Sequence, residues 1–194
     1  MCHLHIKRRA AARPFRSPVT PHLVHTPVLQ TERLTLRAPA PQDAEAFMAY
    51  FATERSQYTG GPMTRRQAWN FFGTEFGHWA MRGFGMFTVT RKNDDRALGI
   101  VGHWYPDGWP ETEVGWVLFD PDSEGQGIAK EAALACIAHG WDTLGWTEMV
   151  SYIDPGNDRS VALAERLGAW RDDAARKPKP DTLVYRHDRP EVPQ

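Results

Sequence analysis

The sequence is short of cysteine, of long apolar runs and, over its first 31 residues, of any acid. Its two cysteines, Cys2 and Cys136, stand far apart and neither sits in a metal-type Cys/His spacing. That excludes a disulfide framework and leaves a reducing, cytoplasmic setting without a metal as the expectation. No stretch reaches the roughly 18 consecutive apolar residues of a membrane span, so no membrane association is expected. The basic start also lacks the apolar run that a signal peptide carries behind it. Lys7, Arg8, Arg9, Arg13 and Arg16 are the charges of this start; without them 18 basic residues face 24 acidic ones, a net charge of −6. A body of that sign has no general electrostatic reason to bind nucleic acid, and it mildly favours a cationic small partner.

What is present fits one α/β domain. A chain of 194 residues, 41% hydrophobic and 24% charged, is long enough for one well-buried core and short for two. Residues 1–28 are rich in proline and basic residues without a period and are expected to form a flexible extension, 29–190 a single domain and 191–194 a tail. Alternation of Leu34 and Leu36 with charged neighbours predicts a first strand from Glu32. Asp43 is placed to cap a helix over 43–52. Thr64 and Gln67 make a capping-box spacing before Trp69, Phe72, Phe76 and Trp79, which predicts a second helix over 65–81. Strands follow at Met86–Arg91 and Ala97–Val101, joined by the turn Lys92-Asn93-Asp94-Asp95. After a Gly/Pro/aromatic loop over 102–110, Val114, Trp116 and Leu118 alternate along another strand.

Gly125-Gln126-Gly127 then opens a helix from Ala129 to about Leu144, with His139 read as a surface residue. Trp146–Ile153 reads as a strand, and Asn157 as the cap of a helix carrying Val161, Ala164 and Leu167, ended by Gly168. Ala169–Arg171 and Thr182–His187 are the last strand candidates. The order β-α-α-β-β-β-α-β-α-β-β predicts a mixed sheet with helices on its faces.

Two glycines flanking one residue, after a strand and before a helix, let main-chain N–H groups approach an anion where the helix dipole also favours it. Many helices simply start after glycines, so the turn alone leaves a structural role open. A nucleotide-binding doubly wound domain fails on order, because the turn follows four strands and no acidic ribose partner is suitably placed.

With Asn157-Asp158-Arg159-Ser160 downstream, the stretches Glu113 to Ala133 and Ser151 to Gly168 resemble the acetyl-CoA-binding half of the GNAT superfamily. The branch most similar is that of the ribosomal-protein alanine N-acetyltransferases, over roughly residues 29–190. The resemblance implies a mostly antiparallel α/β sheet with helices on both faces, acetyl-CoA as cosubstrate, an amine-bearing acceptor such as a peptide N-terminus or small molecule, and a homodimer as a default. It sets Val117, Leu118 and Phe119 along the pantetheine arm, and Gly125, Gln126, Gly127, Ile128, Ala129 and Lys130 around the pyrophosphate. Asn157 and Ser160 then lie near the pantetheine and the leaving sulfur. Glu124 stands where the family carries Arg or Gln, and a carboxylate beside a pyrophosphate is unfavourable unless it turns to solvent. That departure is what favours the alternative of a non-catalytic acyl-CoA sensor on the same fold.

For catalysis, the resemblance makes Glu113 the group that receives the amine proton through water; its other reading is a surface carboxylate. Ser160, or else Tyr185, would protonate the thiolate, against plain roles as a local helix hydrogen bonder and a core tyrosine. His103, Trp104, Tyr105 and Trp109 either contact the acceptor or pack a loop. Glu75 and His78, one helical turn apart, either line an acceptor cleft or form a solvated face, the latter being the expectation.

Overall fold

The computed structural model describes residues 23–189. The expected basic extension therefore lies almost wholly outside the described residues, as does the tail. Eight strands form one sheet: β1 (Leu29–Gln30), β2 (Leu34–Arg37), β3 (Met86–Arg91), β4 (Gly99–Trp104), β5 (Glu113–Leu118), β6 (Val150–Ile153), β7 (Trp170–Arg171) and β8 (Leu183–Arg186). Their spatial order is β1-β2-β3-β4-β5-β6-β8-β7, and every neighbouring pair is antiparallel except β5 and β6. Four helices, α1 (Ala44–Phe51), α2 (Arg65–Arg82), α3 (Ile128–Asp142) and α4 (Asp158–Arg166), connect them.

Successive side chains of a strand point to opposite faces, and the sequence fills both. Phe87, Val101 and Val114 pack under α3 with Ala132, Cys136 and Ile137. Their neighbours Met86 and Ile100 meet Phe47, Phe51 and Phe72 of α1 and α2 on the other face. The expected α/β class with helices on both faces is what is seen. α2 begins as expected: the Thr64 hydroxyl accepts from the Gln67 N–H, and Gly83 ends the helix in the left-handed region. Trp69, read as part of its apolar stripe, is instead 59% exposed, while Ala68, Phe72, Glu75, His78 and Trp79 face inward.

Asp43 makes no side-chain bond to the first N–H groups of α1. Its carboxylate is buried and takes both terminal nitrogens of Arg37 at 2.8 and 2.9 Å, the Ala40 N–H at 2.9 Å and the Thr88 hydroxyl at 2.9 Å. The residue ties α1 to β2 and β3 rather than capping the helix. β4 runs on to Trp104, three residues past the expected end. A side chain at Gly102 would meet the Gly85 carbonyl at 2.7 Å, so this glycine serves close packing inside a strand and does not mark a loop. His139 is also corrected: it is buried on α3, its ring against those of Phe87 and His103.

Candidate active site

Residue pairing between β5 and β6 is limited to Glu113 opposite Val150. Beyond it the Ser151 hydroxyl still reaches the Val114 carbonyl at 2.7 Å, and then the two strands part. Phe119 N–H donates to Leu98 next to β4, so by the alternation of an antiparallel ladder Val117 also faces β4 with its main chain. Trp116 and Leu118 are left to turn their main-chain groups into the gap. Of the three residues expected along a pantetheine arm, Val117 thus offers its side chain and Leu118 its N–H, the Leu118 carbonyl being held by Arg55. Phe119 offers neither, because its ring is buried and Arg55 already binds its carbonyl.

Two cavities meet at this gap, sharing Tyr58, Thr59, Trp116, Val117, Asn157 and Ser160 in their walls. The larger, about 1060 Å³, runs from the gap past Gly125 and Ala129 along the start of α4. Gly125 and Gly127 both hold positive φ, at 72° and 76°, a conformation glycine adopts without steric cost. Gly127 opens α3, whose first N–H groups have no partner within the helix and carry the positive end of its dipole. Gln126 turns away from the groove: its carbonyl accepts from Arg33 at 3.0 Å and its side chain from Arg91 at 2.6 Å. Ile128 is anchored in the core and can serve an anion here only by its main chain, while Lys130 is exposed. Asn157 caps α4, its side chain accepting from the Ser160 N–H at 3.2 Å.

Glu124 lines this groove but is not a bare charge. Arg55 holds one carboxylate oxygen at 2.6 Å, and Arg159 the other. Arg55 also binds the carbonyls of Leu118 and Phe119 at 3.1 and 2.5 Å. The two guanidinium groups neutralise that carboxylate, and around the whole groove Arg55, Arg159 and Arg166 balance Glu54, Glu124 and Asp158, so guanidinium groups are at hand for a phosphate. Paired in this way, Glu124 opposes a phosphate far less than a bare carboxylate would, which weakens the reason for favouring a non-catalytic reading.

The smaller cavity, about 420 Å³, has Phe51, Phe71, Trp104, Trp109 and Tyr152 among its walls, with Glu113 facing it from β5. The Trp109 indole donates to Glu113 Oε2 at 2.8 Å. Removal from water pushes the Glu113 carboxyl up to about 7, against the lowering effects of the Trp109 bond and the Tyr152 main chain. A carboxylate poised there can take a proton from an incoming amine at neutral pH. Ser160 Oγ accepts from the Trp116 indole at 3.1 Å across the gap. Since an indole only donates, the Ser160 proton remains free to be given.

Trp104 and Trp109 therefore face the cleft as anticipated. His103 does not: it is fully buried on the far face of the sheet, its Nε2 2.9 Å from the Cys136 carbonyl. Tyr185 is not brought to either cavity. It is buried between Ser151 of β6 and Arg171 of β7 in the sheet, packed with Ile153, Ala164 and Ala169. Glu75 and His78 are buried as well, at 2% and 3% exposure, so the solvated-face reading fails. The His78 ring stacks on Trp104 at 4.7 Å, donates from Nδ1 to the Phe84 carbonyl and accepts the Tyr105 N–H at Nε2, which fixes that wall. Arg55, Trp116 and Tyr152 were missed by sequence reasoning; for Trp116 and Tyr152 the strand alternation carries the signal, while Arg55 lies in a short irregular helix with none. Among the described residues, no group of three His, Cys, Asp or Glu is placed to hold a metal ion, and no helix is long and apolar enough to cross a membrane.

The family model described as the acetyltransferase (GNAT) domain matches residues 33–169. An acetyltransferase of known structure from Agrobacterium tumefaciens is 34% identical, with a TM-score of 0.80 over 90% of this chain and 100% of that one. The Bacillus subtilis protein YkkB is 27% identical over 166 residues, 81% of this chain and 93% of its own length. RimL, a ribosomal L7/L12 α-N-protein acetyltransferase solved with coenzyme A, shares the fold at 16% identity and a TM-score of 0.66, over 83% of this chain and 97% of that one. With the splayed strands, the glycine turn and the two adjoining cavities, these matches establish that the chain belongs to the GNAT family and is an N-acetyltransferase.

Proposed function

We propose that the protein moves the acetyl group of acetyl-CoA directly to a primary amine, of a small molecule or a peptide N-terminus, without a covalent enzyme intermediate. The observation that carries this reading is the meeting of the two cavities at the strand gap, with Glu113 on one side and the opening of α3 on the other. The acceptor amine enters the smaller cleft, and acetyl-CoA, which supplies the acetyl group and departs as a thiol, lies along the larger groove. The main-chain N–H groups of Ile128, Ala129 and Lys130 at the start of α3, with Arg55 and Arg159, hold its phosphates. The main chain of Trp116 and the N–H of Leu118 pair with its arm as an added strand would.

Glu113 accepts the proton that the amine must lose, directly or through one water, and Ser160 gives a proton to the departing sulfur. A covalent relay through cysteine has no support. Cys136, the free cysteine among the described residues, is buried under the sheet, and burial raises its thiol well above the usual range. Glu113→Gln should lower kcat by about 10²- to 10⁴-fold while acetyl-CoA affinity stays unchanged. Thiol release from acetyl-CoA, with mass spectrometry of an amine and peptide panel, reads this. Wild-type protein that releases no thiol with any acceptor, or a Glu113→Gln enzyme as fast as wild type, contradicts the reading.

A further inference from the structure

The acceptor cleft has a second carboxyl that the reaction does not use. Glu75 of α2 lines the same cavity as Glu113, is 2% exposed, and its Oε2 has no hydrogen-bond partner among the described residues. Phe51, Phe71, Met86, Ile100 and Trp104 share that cavity wall. A carboxyl in such surroundings is costly unless something satisfies it, and an apolar residue of similar size would pack there without that cost. The Tyr152 hydroxyl, on the Glu113 side, is the other buried polar atom of this cleft left without a partner.

Resting on the acetyltransferase reading above, we infer that Glu75 is a specificity residue for the acceptor: a small amine with an aromatic or branched apolar body that carries a second hydrogen-bond-donating group, hydroxyl or amino, remote from the nitrogen that reacts. The apolar walls take the body, Glu113 faces the reacting amine, and Glu75 receives the distal donor. The cavity, about 420 Å³, lies at the lower end of small-molecule sites and suits a compact ligand better than a folded protein surface. Its other charged lining groups are Asp154 and Lys179, so with Glu113 ionised the wall carries a net negative charge even while Glu75 is neutral, and an amine is the favoured class. Burial pushes the Glu75 carboxyl up to about 8, so near neutrality it is a protonated group that can accept from a hydroxyl or give its proton up to pair with an ammonium.

The test compares matched amines of equal size: tyramine against 4-methylphenethylamine, and 1,4-bis(aminomethyl)benzene against 4-ethylbenzylamine. Both turnover with acetyl-CoA and equilibrium binding to the acetyl-CoA-loaded protein are measured. Wild type should favour the donor-bearing member of at least one pair by about tenfold or more in kcat/KM and in affinity. Glu75→Leu should bring that ratio within about twofold of unity, and Glu75→Gln, which keeps hydrogen-bonding capacity, should retain part of it. Thermal melts of both variants establish that they are folded. No preference in wild type, a preference unchanged in folded Glu75→Leu, or no binding of any of the four amines overturns the inference. A Glu75-dependent binding preference without turnover of any amine would uphold the inference and overturn the catalytic reading instead; thiol release with other amines but no Glu75-dependent preference would do the reverse.

Discussion

The Trp109 indole nitrogen lies 2.8 Å from Glu113 Oε2, so the group assigned to take the amine proton is steadied by an aromatic wall of the acceptor cleft. The bond favours the ionised carboxylate and opposes the desolvation that lifts it to about 7. Activity should therefore rise with pH through about 7 as Glu113 loses its proton. Trp109→Phe removes a donor to the charged form and should move that limb upward by about one pH unit. A pH profile of kcat/KM checks it; a limb that stays in place would mean that Glu113 is not the titrating base.

Arg55 and Arg159 grip Glu124 from two sides of the cofactor groove. Incoming phosphates would share those guanidinium groups with a like charge. Glu124→Gln should tighten acetyl-CoA binding by about two- to fivefold, and Arg159→Ala should weaken it by a similar factor. Both shifts should shrink in high salt, because the pairs are partly exposed. Calorimetric titration at two ionic strengths measures them.

Asp43 anchors α1 to the sheet through Arg37, Ala40 and Thr88. Asp43→Ala takes one acceptor from the Arg37 guanidinium, which Asp95 and the Ala38 carbonyl still hold, and leaves the Ala40 N–H and the buried Thr88 hydroxyl without theirs. The expected loss of unfolding free energy is about 1–3 kcal/mol, read by urea denaturation.

Glu75 makes a stability prediction that does not involve turnover. Its folded-state carboxyl titrates near 8, above the ordinary value of 4.5, because burial disfavours the charge. A raised carboxyl contributes stability that is fully present below the unfolded value and is lost as pH rises through the folded one. Glu75→Gln removes that dependence. Relative to wild type it should gain stability between pH 5 and pH 8, by on the order of 2–4 kcal/mol in denaturation at the two pH values.

The order of elements was legible because strands and helices here keep their periods, as in Leu34 and Leu36 or the Thr64–Gln67 box. The glycine turn was legible through its spacing along one chain segment, and Glu113 was singled out only through the family resemblance. Burial of polar residues was not. His103, His139, Glu75 and His78 are polar letters that periodicity assigns to solvent or loops, and only packing against Phe87, Cys136 and Trp104 turns them inward. Glu124 looked adverse because the two arginines that neutralise it lie 69 and 35 residues away in the chain. Long-range pairing of that kind leaves no local pattern to read.

The most direct measurement is calorimetric titration of acetyl-CoA into the wild-type protein and into Gly127→Trp. Gly127 holds a φ of 76° at the opening of α3, where any side chain strains the backbone that aims the first N–H groups and a bulky one meets Arg33, 3.5 Å from its Cβ position. Saturable binding by wild type and its loss, or a weakening of at least about tenfold, in a folded Gly127→Trp protein is the predicted result. No binding by wild type, or equal affinity in both proteins, would contradict the assignment of this turn as the phosphate site.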